Sequence, residues 1–260
     1  MIKAIFFDID GTLVSFKTHT IPENTRQTLK QLRQKGIKLF IATGRPRMLM
    51  LNAIGEIEFD GYITLNGVHC FTSTHQDIFK ECIPREDIER LVTYHYAHPQ
   101  IPFVFVSGDR WFITSTNPAV EEIARLIEID VPPIEPIEHA LQEDILQIMG
   151  YVDKTYEPEL FSRILSGCEP MRWHPLFTDI ITRGNNKSKG IDKVLAYYGI
   201  DLQDTMAFGD GGNDIPMLQH VNIGVAMGNA SPQVQAAANY VTASVDDDGI
   251  TKALQYFGII

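Results

Sequence analysis

Ile5-Phe6-Phe7-Asp8-Ile9-Asp10-Gly11-Thr12 is the stretch that decides the fold of this chain. The apolar run that leads into it, Ile2 to Phe7, is rich in β-branched and aromatic residues and predicts a buried strand. Asp8 and Asp10 follow at its carboxyl end, where open α/β sheets hold their ligand sites. Two aspartates in this spacing, followed by Gly-Thr, suit a Mg²⁺ site beside a nucleophilic carboxylate. An acidic turn that ends a strand would have the same sequence pattern. Residues further along the chain are therefore needed to distinguish a metal site from a simple turn.

Strands and helices alternate in both end regions of the chain. Further strands are predicted at Ile37–Ala42, Gly61–Leu65 and Thr205–Gly209, and helices at Pro22–Lys35 and Ser188–Tyr198. Strands separated by helices imply right-handed crossovers and a parallel sheet. The sequence therefore predicts an α/β fold with a doubly wound, Rossmann-like parallel sheet.

The middle of the chain has a different pattern. Hairpin signals alternate there with helix candidates such as Pro84–Ala97, which is typical of an α+β domain with antiparallel pairs. We therefore expect residues 1–82 and 183–260 to form one catalytic core domain. Residues 83–182 are expected to form a separate α+β domain inserted into it.

Composition excludes several classes of partner. A formal net charge of −11 argues against nucleic acid and anionic membrane surfaces. The three cysteines form no Cys-x-x-Cys motif, which indicates free thiols in a reducing compartment. No apolar run has the length of a spanning helix, and the first residues do not resemble a signal peptide. We expect a cytoplasmic protein, a monomer or weak homo-oligomer, with no nucleic-acid or membrane partner.

Four short segments place polar groups directly after a predicted strand or at the start of a predicted helix. They are Asp8 with Asp10, then Thr43, then Lys187, and then Asp210 with Asn213 and Asp214. Because the carboxyl ends of parallel strands lie at one edge of a sheet, these groups can converge.

The converging groups form a set suited to phosphoryl transfer. Asp8, Asp210 and the carbonyl of Asp10 are ligands of the kind that Mg²⁺ prefers. The Thr43 hydroxyl with nearby backbone N–H groups can hold phosphate oxygens, and Lys187 can neutralise remaining charge. Four aspartates carry four negative charges. Mg²⁺ and Lys187 together leave a net charge of −1, and a protonated, neutral Asp10 brings the net charge to zero. Only with the metal present is a phosphate dianion tolerable.

The ordered set of motifs resembles a known superfamily. Asp8-Ile-Asp10-Gly11-Thr12, Thr43-Gly44-Arg45, Lys187 and Gly209-Asp210-Gly-Gly-Asn213-Asp214 resemble the four motifs of haloacid dehalogenase superfamily phosphatases. The α+β insertion between the second and third motifs is similar to a C2B-type cap. Leu65-Asn66-Gly67 adds a similarity to the Cof-type subfamily IIB, and within it to sugar-phosphate (hexose phosphate) phosphatases.

The resemblance implies a role for each matching residue. Asp8 would be the nucleophile that forms an aspartyl-phosphate, and Asp10 would protonate the leaving alcohol and then activate water. The implied metal residues are Asp8, Asp10, Asp210 and Asp214, the last as a ligand or as a support for the others. The implied phosphate-binding residues are Thr43, Gly44, Lys187 and Asn213.

The third motif contains two lysines that compete for one role. Lys187 shares a helical face with Ile191 and Val194, the face expected to look toward the sheet. Lys189 shares a face with the charged Lys193 and is expected to point to solvent. We choose Lys187 for the phosphate and leave Lys189 as the alternative.

The sequence therefore predicts a Mg²⁺-dependent phosphatase that hydrolyses small phosphate monoesters. Its partner would be a small phosphorylated metabolite, with sugar phosphates favoured by the resemblance. A phosphomutase would use the same aspartyl-phosphate but return the phosphoryl group to the sugar. A phospho-acceptor signalling module would also combine acidic residues, a threonine and a lysine around Mg²⁺, but would need no insertion and no second aspartate.

Overall fold

The computed structural model describes residues 1–55, 57–108, 110–126 and 129–260. Its first part alternates strand and helix before ending in a hairpin. The elements are β1 (Ala4–Phe7), α1 (Glu23–Gln34), β2 (Lys38–Ala42), α2 (Arg47–Ile54), β3 (Gly61–Thr64), β4 (His69–Thr72) and β5 (Asp77–Lys80). The third strand ends one residue earlier than predicted, because Leu65–Gly67 forms a tight turn with positive φ at all three residues.

The middle part mixes short helices with strands. Its elements are α3 (Arg85–Ala97), β6 (Phe103–Ser107), β7 (Arg110–Ile113), α4 (Pro118–Leu126), β8 (Ile145–Gly150), α5 (Glu157–Glu159), β9 (Cys168–His174) and β10 (Phe177–Thr182). The strands pair antiparallel in the order β7-β6-β8-β10-β9, as expected for an α+β domain.

The last part resumes the alternation of the first. Its elements are α6 (Lys187–Tyr198), β11 (Thr205–Gly209), α7 (Ile215–His220), β12 (Ile223–Ala226), α8 (Pro232–Ala237), β13 (Tyr240–Val241) and α9 (Gly249–Tyr256). The predicted strand Thr205–Gly209 has its exact bounds here, and α6 begins one residue before the predicted Ser188.

The chain divides into two compact units. Met1–Lys80 and Asn185–Ile260 together form one, which we call the core unit, and Glu81–Gly184 forms the other, the insert unit. The sequence placed the boundaries at 82/83 and 182/183, two residues inside those of the insert unit. Within the described residues, no helix combines the length and apolar character that crossing a membrane requires.

One eight-stranded sheet organises the core unit, in the order β13-β12-β11-β1-β2-β3-β4-β5. From β13 to β3 all neighbours are parallel, as predicted. The hairpin of β4 and β5 then extends the edge antiparallel, so the sheet is mixed. The central strand β1 comes from the start of the chain, and its neighbour β11 from the last third.

The central strands β11, β1 and β2 of the core sheet are buried on both faces, which is why they read as nearly continuous apolar runs. Ile5 and Phe7 point into a cluster with residues of α1 and α9 such as Leu29 and Leu254. Phe6 points to the opposite face and packs in a cluster with α6, α7 and α8. The insert unit has its own apolar core, which α3 and one face of its sheet build together.

Candidate active site

The topology brings three strand ends to one edge of the core sheet. Strand β1 lies between β2 and β11 and runs parallel to both, with Phe7 opposite Ile41 and Phe208. The residues that follow these strands therefore share one edge, as in other open α/β sheets. Asp8, Thr43 and Asp210 follow β1, β2 and β11, as the sequence predicted.

Lys187 enters this edge as the first residue of α6. Asn186 caps that helix, its side chain accepting the amide N–H of Lys189, which fixes the direction of the first turn. The Lys187 side chain is fully buried, and its Nζ donates to Asp8 Oδ1 and to Asp214 Oδ1, both at 2.6 Å. Lys189 lies elsewhere, with its Nζ 5.5 Å from the centre of the Phe79 ring. Of the two competing lysines, Lys187 is thus the one that reaches the aspartates.

Asp214 ties the loop after β11 to this lysine. Its Oδ1 accepts from Lys187, while its Oδ2 accepts the amide N–H groups of Asp210 and Gly211 at 2.9 and 2.8 Å. Gly209 permits this, since a Cβ there would lie 2.6 Å from the Asp214 Cβ. Both Asp214 oxygens are therefore held by donors of the protein itself.

Asp210 is held from the other side by groups around Gly11. Its Oδ1 accepts from the Thr12 hydroxyl at 2.9 Å, and its Oδ2 from Asn229 Nδ2 at 3.2 Å. Gly11 has a left-handed φ of +82°, and a Cβ there would lie 2.2 Å from Asp210 Oδ2. The glycine of the first motif is thus required for the backbone conformation and for the space that the carboxylate occupies.

The clustered carboxylates perturb one another. Burial, with the negative charge of Asp214, raises the pKa of Asp8 well above its ordinary value despite the nearby Lys187. Burial and Asp214 likewise raise the pKa of Asp210 to about 7. Burial disfavours the ammonium of Lys187, but the charges of Asp214 and Asp8 outweigh it and raise its pKa. One ammonium does not balance this many carboxylates.

The donor set fits a hard divalent cation. Asp8, Asp210 and Asp214 each offer a carboxylate oxygen, and these oxygens lie within 4.8 Å of one another. Oxygen-only ligands favour Mg²⁺ or Ca²⁺ over softer metals. A cation would offset both the burial of the charged carboxylates and their mutual repulsion, the two causes that raise the pKa values of Asp8 and Asp210. Asp214 is fully buried, and its oxygens accept from the Lys187 ammonium and from two backbone amides. Asp210 is partly exposed and accepts from the neutral Thr12 and Asn229 side chains. Asp8 and Asp210 are therefore the better placed ligands.

Asp10 lies at the same edge but is paired differently. Its carboxylate accepts two hydrogen bonds from Arg45, from Nε to Oδ2 and from Nη2 to Oδ1, both 2.7 Å long. Arg45 also donates from Nη1 to the Leu49 carbonyl at 3.2 Å. The ion pair is partly exposed, with 33% and 36% of the two side chains accessible. The structure therefore holds Asp10 in a two-pronged contact that the sequence did not predict.

Three of the phosphate-binding candidates, Thr43, Gly44 and Asn213, lie around the buried Asn66. Thr43 is buried, and its hydroxyl accepts the Arg45 amide N–H at 3.1 Å. Asn213 Nδ2 donates to Asn66 Oδ1 at 3.0 Å. Gly44 lies against the same Asn66 carboxamide, both of whose polar atoms would be 3.2 Å from a Cβ at that position.

All eight predicted site residues thus lie at one end of the core sheet, and four further residues touch them. Thr12, Arg45, Asn66 and Asn229 are not among the predicted site residues, and each contacts one of them. Thr12, Arg45 and Asn66 lie inside the quoted motifs, so their positions were the available signal. Asn229 follows β12 in a segment without any such signal.

Comparison with known proteins covers nearly the whole chain. Residues 5–254 match the model of a family described as haloacid dehalogenase-like hydrolase. YkrA of Bacillus subtilis (strain 168), a candidate phosphatase, is 35% identical over 259 residues, which are 99% of this chain and 98% of YkrA. The 5-amino-6-(5-phospho-D-ribitylamino)uracil phosphatase YitU of the same strain is 29% identical over 278 residues, with 98% and 97% covered.

Solved structures give a similar picture. BT4131, described as a HAD subclass IIB sugar phosphatase, is 42% identical with a TM-score of 0.84, and 99% of this chain and 100% of BT4131 are covered. BT1666 of Bacteroides thetaiotaomicron, described among HAD superfamily phosphatases, is 39% identical with a TM-score of 0.91, covering 100% and 96%. The similarity extends over the insert unit as well as the core unit.

Proposed function

Because the chain belongs to the haloacid dehalogenase-like hydrolases and is a phosphatase, we propose that it hydrolyses small phosphate monoesters through an aspartyl-phosphate on Asp8. Sugar phosphates are the proposed substrate class and Mg²⁺ the proposed cofactor. The proposed setting is the cytoplasm, with the protein acting as a monomer or weak homo-oligomer.

One observation carries this proposal: Asp8 lies in the carboxylate cluster, held by the buried Lys187. The lysine orients the Asp8 carboxylate and offsets part of the charge that a phosphate brings. The Asp8 oxygen would attack phosphorus, and the bond to the leaving oxygen would break. Water would then hydrolyse the aspartyl-phosphate and release inorganic phosphate.

Mg²⁺ would be held by Asp8, Asp210 and the carbonyl of Asp10, with Asp214 supporting the site rather than binding the metal. When bound, it supplies positive charge that lets an anionic nucleophile and an anionic phosphate come together. Thr12 and Asn229 hold the Asp210 carboxylate in place. Asp214 holds both Lys187 and the backbone of the loop after β11.

Asp10 is the proposed proton donor to the leaving oxygen and the later acceptor of a proton from water. Both of its oxygens accept from Arg45 in this structure. To serve the leaving group, Asp10 must exchange one of these hydrogen bonds for the substrate oxygen. The leaving oxygen of the substrate and the Arg45 guanidinium therefore compete for hydrogen bonds to the Asp10 carboxylate.

The remaining candidates fit the phosphoryl oxygens. The Thr43 hydroxyl, the amide N–H of Gly44 and the Asn213 carboxamide supply neutral donors, and Lys187 supplies charge. These donors are fixed by the backbone and by Asn66, which limits the reorganisation needed when charge moves during transfer.

We assign the choice of substrate to the insert unit. It has its own apolar core, so its surface can change without disturbing the core sheet. Similarity to the sugar phosphatase BT4131 supports a sugar leaving group. YitU, with a ribityl-bearing phosphate ester in its name, indicates that the substrates of such proteins vary.

A screen of phosphate monoesters at fixed Mg²⁺, read as free phosphate, tests the proposal. We expect release of inorganic phosphate from at least one hexose phosphate, and its loss in excess chelator. Isomerised sugar phosphate without free phosphate would instead show a phosphomutase. A stable aspartyl-phosphate that does not turn over would show a phospho-acceptor.

A further inference from the structure

The turn after β3 contains two consecutive residues in a conformation that side chains rarely adopt. Leu65 and Asn66 have φ values of +52° and +55°, and both are buried, with 2% and 3% exposed. Asparagine tolerates the left-handed region, but a bulky residue such as leucine is an outlier there. Strain of this kind persists only where the surroundings impose it, and it is common at functional sites.

The surroundings of this turn are the other motifs of the site. The amide N–H of Asn66 donates to the Thr43 carbonyl at 3.0 Å, and that of Leu65 to the Arg45 carbonyl at 3.3 Å. Gly67 packs on the backbone of Asn186, where a Cβ would lie 2.1 Å from the carbonyl oxygen. The turn is thus fixed both to the second motif and to the start of α6.

The Asn66 side chain makes the third connection. Its Oδ1 accepts the hydrogen bond from Asn213 Nδ2, across 147 residues of sequence. On the other side, the Asn213 Oδ1 lies beside Gly211, where a Cβ would be 2.6 Å away. The Asn213 carboxamide is thereby held with its nitrogen toward Asn66 and its oxygen toward the loop after β11.

We propose that Asn66 is a positioning residue for phosphoryl transfer, which sets the orientation of the Asn213 carboxamide so that this group presents an N–H donor to phosphate. The inference rests on the proposed function and deepens it. A carboxamide has a donor end and an acceptor end of nearly equal shape. Turned the wrong way, Asn213 would direct an oxygen at an anion.

The left-handed turn is what lets Asn66 do this. With Leu65 and Asn66 both at positive φ, the chain reverses direction next to Thr43 and Gly44. The Asn66 carboxamide then lies between Gly44 and Asn213, and Gly44 leaves room for it. The backbone strain at Leu65 is the consequence of placing one side chain between two motifs.

The test is a double-mutant cycle with Asn66→Gly and Asn213→Ala. Glycine keeps the left-handed backbone while removing the acceptor, so Asn66→Gly is expected to fold. With para-nitrophenyl phosphate, we expect Asn66→Gly to lower kcat/KM about tenfold in the wild-type background. In the Asn213→Ala background its effect should be less than about twofold, because the group it positions is gone. The same loss in both backgrounds, or no loss in either, overturns the proposal.

His75→Gly is the matched control. His75 also has a left-handed φ, +65°, but it lies in the exposed turn between β4 and β5. The His75→Gly substitution should leave kcat and KM unchanged. Its effect on thermal stability shows what placing glycine at a position of left-handed backbone conformation does by itself.

Asn66→Asp separates positioning from direct contact. Aspartate keeps the acceptor for Asn213 but adds negative charge, so KM should rise while kcat stays within about threefold. A fall of kcat as large as that of Asn66→Gly would mean that the Asn66 amide nitrogen itself acts, and would overturn the proposal. This variant also carries the test if Asn66→Gly does not fold.

Binding of inorganic phosphate in the presence of Mg²⁺, measured by calorimetry, separates this inference from the proposed function. If the wild type hydrolyses no monoester, the proposed function fails, while phosphate affinity still reports on Asn66. We expect Asn66→Gly to bind phosphate more weakly than the wild type does. The double variant Asn66→Gly/Asn213→Ala should bind phosphate as well as Asn213→Ala alone. Unchanged phosphate affinity in Asn66→Gly overturns the inference.

Discussion

At the scale of single residues, Lys187 places a charged group in the interior of the core unit. Its ammonium is fully buried between the carboxylates of Asp8 and Asp214. Removing one partner of a buried ion pair leaves the other charges uncompensated. We expect Lys187→Met to lower the free energy of unfolding by about 3 kcal/mol, measured by urea denaturation, and to abolish turnover.

Lys189→Met is the matched control on the same helix. Lys189 contacts the Phe79 ring, and such a contact is worth roughly 0.5–1 kcal/mol when exposed. It should therefore retain most activity and lose less than about 1 kcal/mol. Equal losses in the two variants would contradict the assignment of Lys187 to the site.

Asp8 is predicted to be the nucleophile. Asp8→Asn keeps the shape of the side chain, and Lys187 keeps its bond to Asp214, so the fold should survive. We expect kcat to fall by about 10³-fold or more and the covalent phosphate label to disappear in acid-quenched reactions. Asp192→Asn, at an exposed position on α6, serves as the control. A labelled Asp8→Asn protein would place the covalent step on another residue.

The raised pKa of Asp210 leads to a prediction about how pH and Mg²⁺ together affect the stability of the protein. Burial and Asp214 raise its pKa to about 7 in the folded protein, above the usual value of a carboxyl group. The folded state then binds more protons than the unfolded state, so without metal this group's contribution to stability falls as pH rises from about 4 to 7. Mg²⁺ competes with the proton and should bind better above about pH 7.

The measurement is thermal unfolding with Mg²⁺ or chelator at several pH values. The increase in Tm on adding Mg²⁺ should be larger at about pH 8 than at about pH 5.5. Asp210→Asn should remove most of this difference. An increase in Tm that does not depend on pH would show that Asp210 does not titrate in this range.

At the scale of elements, the loops after the strands carry the chemistry, and glycines make room for it. Gly11 and Gly36 have similar left-handed φ values, +82° and +77°. A Cβ at Gly11 would meet Asp210 Oδ2 at 2.2 Å, whereas a Cβ at Gly36 would meet nothing within 4 Å. The two positions therefore separate backbone strain from displacement of the carboxylate.

We expect Gly36→Ala to cost about 1 kcal/mol of stability through strain alone and to keep full activity. Gly11→Ala should carry the same strain and in addition displace Asp210, lowering Mg²⁺ affinity and kcat/KM at least about tenfold. Mg²⁺ titrations of activity check this. Equal Mg²⁺ affinity in the two variants would argue against Asp210 as a metal ligand.

The same loops show what the sequence could and could not predict. Strand ends follow from apolar runs in the sequence, so the placement of Asp8, Thr43 and Asp210 at one edge was predictable. Lys187 was predictable over Lys189 because helical periodicity gives the two lysines different faces. The Arg45–Asp10 pair and the Asn66–Asn213 contact were not predictable. They depend on side-chain directions across 35 and 147 residues, which local pattern does not encode.

At the scale of the whole molecule, the insert unit is the proposed source of specificity. Its Gln147 is buried and donates from Nε2 to Asp179 Oδ1 at 3.0 Å. Its Oε1 has no hydrogen-bond partner in the described part of the chain, which leaves an acceptor for a ligand hydroxyl or for water. A carboxylate and a carboxamide together suit recognition of hydroxyl groups.

We expect Gln147→Met to lower kcat/KM for hexose phosphates about tenfold and to leave para-nitrophenyl phosphate nearly unchanged. Asp8→Asn should abolish activity on both substrates. Gln142→Met, at an exposed position of the same unit, is the control. Parallel losses on the two substrates in Gln147→Met would argue that the insert does not select the leaving group.

The pairing of β1 with β11 sets the order in which a ribosome can complete this enzyme. Strand β1 and Asp8 are made before the insert unit, but β11 and Asp210 are synthesised only after the entire insert unit. At about 5–20 residues per second, the nascent strand β1 waits roughly 10 to 40 seconds for its neighbour. The insert unit, whose contacts are local to it, can fold during that delay. The emerging chain therefore cannot carry a finished phosphatase site until the insert unit and β11 have both been translated.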